Sequence, residues 1–235
     1  MIKSNTIMIS AFSDKHINPT TENILVMLPA LKDIIGIDMF PNVFISQNID
    51  METGNISSQS NLSFASSDEK YKIICMERID IICSTNKAIE CLDGEIEKCV
   101  HALEYLLENA NASASRLAFN VDYVLEQLSV DTILSKEFIK VIGFYDGKNI
   151  REWSTRTNSY EEISILSNKE LVNTITDIEI NSNDKGEKTY HYHIDINTLP
   201  GNQGLRFNQS HIRPFLSETS HLYKLINSDI AEIIK

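Results

Sequence analysis

The chain has 235 residues, with 33 Asp plus Glu against 21 Lys plus Arg, so its formal charge is −12. That balance leaves no basic footprint for nucleic acid, and a hydrophobic content of 42% is enough to fill a core, which excludes a disordered tail. Eight Gly and five Pro are too few for a chain built on Gly-rich phosphate loops or Pro-rich linkers.

The first strand signal is Thr6 to Phe12, where Ile7, Ile9 and Ala11 alternate with Met8, Ser10 and Phe12. Pro19, Thr20 and Thr21 then open a helix striped by Ile24, Leu25, Leu28, Leu31 and Ile35. Pro29 lies inside that stripe and predicts a kink or an early stop. Gly36 and a Phe40-Pro41-Asn42 turn lead into an antiparallel meander of Val43 to Met51, Ile56 to Ser66, Tyr71 to Met76 and Arg78 to Ser84. Its turn signals are Glu52-Thr53-Gly54-Asn55 and Ser67-Asp68-Glu69-Lys70.

From Asn86, read as an N-cap, a long helix follows with Ile89, Leu92, Ile96, Cys99, Leu103 and Leu106 on one stripe. After a polar break at Asn109 to Ser113, Arg116 to Tyr123 alternates as a half-buried strand. Val124 to Val141 is apolar-periodic and helical in part. Strand signals recur at Val141 to Tyr145, Ile150 to Thr157, Val172 to Asn181 and Lys188 to Asn197, with a turn at Asn183-Asp184-Lys185-Gly186. A last helix runs from about Asn208 to Ile234, striped by Ile212, Phe215, Leu216, Leu222, Leu225, Ile226, Ile230 and Ile233.

Ile79-Asp80-Ile81 and Ile194-Asp195-Ile196 stand 115 residues apart, each ahead of a long helix. The expected fold is therefore α+β in two similar halves, residues 1–110 and 111–235, each an antiparallel meander with a long helix on one face, as an internal duplication produces. The four cysteines, Cys75, Cys83, Cys91 and Cys99, recur every eight residues but lack the Cys-x-x-Cys spacing of a zinc loop, so they read as reduced, buried apolar residues.

The most chemically suggestive run is Tyr190-His191-Tyr192-His193-Ile194-Asp195. Strand alternation puts His191, His193 and Asp195 on one face, a set that could bind a divalent metal or hold a general base beside a carboxylate. Arg78 and Asp80 share a face of their strand, as do Arg116, Asn120 and Asp122 of theirs. If both halves join, these groups converge on one polar surface, which is the expected binding site. Trp153, the only tryptophan, is added as a candidate interface anchor, the other reading being a core or rim packing role. No Gly-x-Ser-x-Gly, Walker loop or Gly-x-Gly-x-x-Gly occurs, which removes the common hydrolase and nucleotide-binding classes.

Leu62 to Asp68, Glu77 to Ile81, Ser115 to Asn120 and the strand and helix from Tyr192 to Ile234 resemble a sporadically distributed bacterial family with no assigned activity. The resemblance implies no catalytic residues. It implies an accessory component of a toxin-antitoxin or phage-defence locus. The N-terminus lacks a signal-peptide pattern and no run reaches the roughly 20 apolar residues of a membrane span, so a cytoplasmic location is expected. The functional expectation is a non-enzymatic interaction subunit, without cofactor, membrane or nucleic acid, acting as a homodimer or binding a protein partner, a basic one being suited to its acidic surface. The alternative is a metal-dependent enzyme or small-ligand sensor built on the polar face around His191, His193 and Asp195.

Overall fold

The computed structural model describes residues 2–87, 92–126, 152–182, 188–200 and 204–234. Among them the elements run β1 (Ile2–Ser13), α1 (Thr21–Ile35), β2 (Met39–Ile49), β3 (Ile56–Ser66), β4 (Tyr71–Cys75), β5 (Arg78–Thr85), α2 (Asp93–Asn109), β6 (Ala114–Glu126), β7 (Trp153–Ile165), β8 (Asn168–Ser182), β9 (Lys188–Thr198) and α3 (Gln209–Ile234). The strands form one nine-stranded sheet in the order β2-β3-β4-β5-β1-β6-β9-β8-β7, and every pairing in it is antiparallel.

The sheet corrects the expectation of two halves, each with its own meander and long helix. β1 pairs β5 on one side and β6 on the other, so hydrogen bonding runs without a break from the first strands of the chain to the last. The two Ile-Asp-Ile runs lie on β5 and β9, which flank this central β1/β6 pair. Sequence shows the strands but not which of them pair across a long connection, and that pairing decides between one sheet and two.

Register explains the core. One row crosses seven strands as Phe64, Ile73, Ile81, Ile9, Phe119, Ile196 and Thr174. Its six apolar members are buried under the three helices, with α1 near β2, α2 over β1 and β5, and α3 over β6 and β7. From α1 the core takes Met27, Leu31 and Ile35; from α2 it takes Ile96, Cys99, Val100, Leu103, Leu106 and Leu107. α3 contributes Ile212, Phe215, Leu216 and Tyr223, whose ring meets Phe119 edge-on at 5.8 Å.

Local chemistry sets the element ends. The Asn23 N–H donates to Thr20 Oγ1 at 3.2 Å to cap α1, and Gly36 closes the helix in the left-handed region at φ 79° with its N–H on the Lys32 carbonyl at 2.7 Å. Pro29 does not stop the helix; α1 continues to Ile35 because burial of Leu31 and Ile35 outweighs the one backbone donor that Pro29 lacks. Leu25, placed on the inner stripe by its spacing, is 68% exposed, and Met27 takes the inner place. Phe40-Pro41-Asn42 is strand and not turn: β2 is an edge strand, where a missing proline donor is tolerated.

α2 begins at Asp93 rather than at Asn86, and Ile89 of the expected stripe lies outside the described residues. β7 reaches Ile165, eight residues past the expected Thr157, since a polar edge strand lacks apolar alternation. β6 extends through Val124 to Glu126. The remainder of the apolar run to Val141, the Val141 to Tyr145 strand signal, Cys91 and the Asn183 to Gly186 turn lie outside the described residues. Cys75, Cys83 and Cys99 are free and buried, and burial pushes the Cys75 thiol up to about 12. Among the described residues no helix is long and apolar enough to cross a membrane.

Candidate functional site

The alternation that buries one face of the sheet turns the other residues of the same strands away from the helices. On that second face, register assembles the groups that the sequence marks separately. The outermost rows are Val124, His191, Glu179 and Ser154 across β6, β9, β8 and β7, and then Ser84, Thr6, Asp122, His193, Asp177 and Arg156 across β5, β1, β6, β9, β8 and β7. The next contains Asn120 beside Asp195, and a fourth contains Asp80, Ser10, Ala118, Asn197 and Asn173. A fifth is Arg78, Phe12 and Arg116.

Eight of the nine expected residues, Arg78, Asp80, Arg116, Asn120, Asp122, His191, His193 and Asp195, thus share one face. Trp153 does not. It pairs in register with Ile180 on β8, on the helix-covered side, and packs half-buried against the rim of the core. Its setting in a polar run conceals this, because only the phase of the strand decides which face receives the indole.

Two hydrogen-bonded chains lie at the Phe12 end. Ser10 Oγ donates to Asp80 Oδ1 at 2.6 Å, and Arg78 Nε donates to Asp80 Oδ2 at 2.9 Å. Arg116 Nη2 donates to Asn197 Oδ1 at 2.6 Å, and Asn197 Nδ2 donates to Asp195 Oδ1 at 2.9 Å. The Phe12 ring sits between the two guanidinium carbons, 5.7 Å from that of Arg78 and 4.9 Å from that of Arg116, in the range of cation–π attraction. Beside it a cleft of about 350 Å³ is lined by Phe12, Arg78, Asp80, Gln59, Asn61 and Ser46 among others. Asn61 Nδ2 donates to Ser46 Oγ at 2.8 Å there.

At the opposite end His193 Nδ1 lies 2.7 Å from Asp122 Oδ1. The hydrogen bond to Asp122 raises the His193 pKa, burial opposes it, and the charges of Asp122, Asp195 and Asp177 add to the rise. Arg156 Nη1 donates to Asp177 Oδ2 at 2.6 Å in the same row. No Ser, Thr or Cys among the described residues hydrogen-bonds His193, and no group of three or more His, Cys, Asp or Glu among them is placed to hold a metal ion. The face can hold polar groups against matched charges.

Ser10, Phe12, Asn197 and Asp177 complete these chains and are missing from the sequence-based candidate set. Ser10 and Phe12 alternate visibly with Ile7, Ile9 and Ala11, so the strand period alone could have placed them on the Arg78 face once β1 was known to pair β5.

A second surface lies at the β2 end of the sheet. Neither Met39–Ile49 nor Ile56–Ser66 contains a single Asp, Glu, Lys or Arg, in a chain whose charged content is 23%. Val43, Ile45, Ile49 and Ile56 are 51%, 66%, 61% and 64% exposed on one side of this hairpin. No protein-family model matches the chain, and neither does any curated protein.

Proposed function

We propose that the protein is a non-enzymatic, cytoplasmic interaction subunit that works through contact with other protein chains, as an accessory or neutralising component of a toxin-antitoxin or phage-defence assembly. The observation that supports the interaction reading is the β2–β3 hairpin: two strands of 11 residues each without a charge, carrying five apolar side chains more than half exposed, four of them on one side, on a molecule of charge −12. Solvated apolar surface of this kind is stabilised by being covered. The bacterial setting and the defence role rest on the resemblance carried by Leu62 to Asp68, Glu77 to Ile81, Ser115 to Asn120 and Tyr192 to Ile234.

Native mass spectrometry at low salt, on protein from its own host, tests this. The expected result is a multiple of 26.7 kDa or a defined complex with another protein. A bare monomer under conditions that preserve weak complexes overturns it.

A small-ligand sensor is the second reading, favoured by the cleft beside Phe12. An aromatic face between two guanidinium groups, next to the amides of Gln59 and Asn61, suits a small polar molecule. This cleft is lined by Arg78 and Asp80 and lies apart from the His193 end of the face. A thermal-shift screen in which hits vanish on Phe12→Ala would favour it over the interaction reading.

A further inference from the structure

We propose that the protein self-associates through β2, which pairs antiparallel with the β2 of a second copy across a twofold axis and joins the two sheets edge to edge. This rests on the interaction reading above and names the partner.

Among the described residues β2 is the last strand on its side of the sheet and pairs only with β3. Its register runs without a slip from Met39 opposite Ser66 to Ile49 opposite Ile56, so no bulge turns the outer edge away. Pro41 removes one donor near the start, and the residues beyond it keep theirs. An open edge of this length is a template for another strand unless charge, bulge or proline guards it. The opposite edge is guarded: β7 carries Arg156, Glu161 and Glu162.

The charge pattern selects the occupant. Two copies of a molecule at −12 repel over most of their surface. Along β2 and β3, which contain none, no carboxylate opposes another; Asp38 and Asp50 flank β2 at its two ends, and Lys32 pairs with Asp38 at 2.6 Å. A basic partner steered by charge would be drawn to the carboxylates elsewhere and would find no counter-charge on this edge. Antiparallel self-pairing also sets like faces together, so Val43, Ile45 and Ile49 of one copy lie beside the same side chains of the other. The twofold contact is closed: each copy uses its one uncharged edge, and the outward β7 edges end the assembly at two.

Sedimentation equilibrium on the full chain tests the proposal, with the wild type compared to Ile45→Lys and, as a control on the far edge, Asn158→Lys. Ile45 is 66% exposed, so the folded state tolerates lysine there, and circular dichroism with a melting curve verifies it for each variant. The wild type and Asn158→Lys should sediment at twice the monomer mass. Ile45→Lys, which sets two ammonium groups against each other across the axis, should raise the dimer dissociation constant by about 100-fold or more. A folded Ile45→Lys that stays dimeric, or a dimer lost in Asn158→Lys, overturns the proposal. A monomeric wild type overturns it too. If that monomer forms a complex with another protein that Ile45→Lys abolishes, the interaction reading survives without self-pairing; if it forms no complex, both fall.

Discussion

At the scale of single residues, Glu95 and His193 are held by electrostatic arrangements on opposite faces of the sheet. Glu95, on α2, is buried and takes ion pairs from Lys70 at 2.8 Å and from Lys87, with a hydrogen bond from Tyr71. Burial works against its ionisation, but the hydrogen bonds from Lys70, Lys87 and Tyr71 outweigh it and hold the carboxyl down at about 2. A depressed folded pKa contributes stability that is present above the ordinary glutamate value and is lost as pH falls through the folded one. Glu95→Ala should therefore destabilise the protein by about 3 kcal/mol at neutral pH, and urea titrations should show the gap to wild type closing between the ordinary carboxylate range and about pH 2. A constant gap across that window would contradict the assignment.

His193 has the opposite sign. Its raised pKa, caused first by the hydrogen bond to Asp122, means a stabilising contribution that is full below the ordinary histidine value and fades as pH rises through the folded one. Asp122→Asn should bring the His193 titration, followed by imidazole proton resonances, down towards the ordinary histidine value. An unmoved titration would show that Asp195 and Asp177 alone set it.

At the scale of elements, α1 illustrates how local chemistry and tertiary burial divide the work. Thr20 is the only side chain capping its start, and Thr20→Ala should cost about 1 kcal/mol of stability, read from the denaturation midpoint. Pro29 would end an isolated helix, yet α1 runs on because Leu31 and Ile35 are fully buried beyond it. The helix start was legible in Pro19, Thr20 and Thr21, and the continuation past Pro29 was not, since no local signal reports what a helix is packed against. The strand ends show the same division. β3, β4 and β5 have clear turn chemistry and apolar alternation, and their expected limits lie close to those observed. β7 is a polar edge with exposed residues on both faces up to Glu162, and its second half left no period to read.

At the scale of the whole molecule, the nine strands share one sheet and one core. Phe119 lies centrally, in register with Ile9 and Ile196 and against Tyr223. Phe119→Ala should cost about 3–5 kcal/mol. In one continuous sheet that loss should lower the melting of the α2 side and the α3 side together. Hydrogen exchange that shows the amides of β4 and β5 losing protection in step with those of β8 and β9 would verify it; loss confined to the second set would mean that the sheet does not unfold as a unit.

The sequence by itself determined where most strands and helices lie, because alternation and helical spacing are recorded residue by residue, and it grouped Arg78 with Asp80, Arg116 with Asn120 and Asp122, and His191 with His193 and Asp195, each set on one face of its own strand. Only the tertiary structure decided that β1 joins β5 to β6, and with that pairing came the single sheet, the Asp122–His193 contact, the Phe12 ring between two arginines, and the removal of Trp153 to the other face. Register between strands distant in sequence depends on which apolar rows pack best under the helices, and no local pattern encodes that choice.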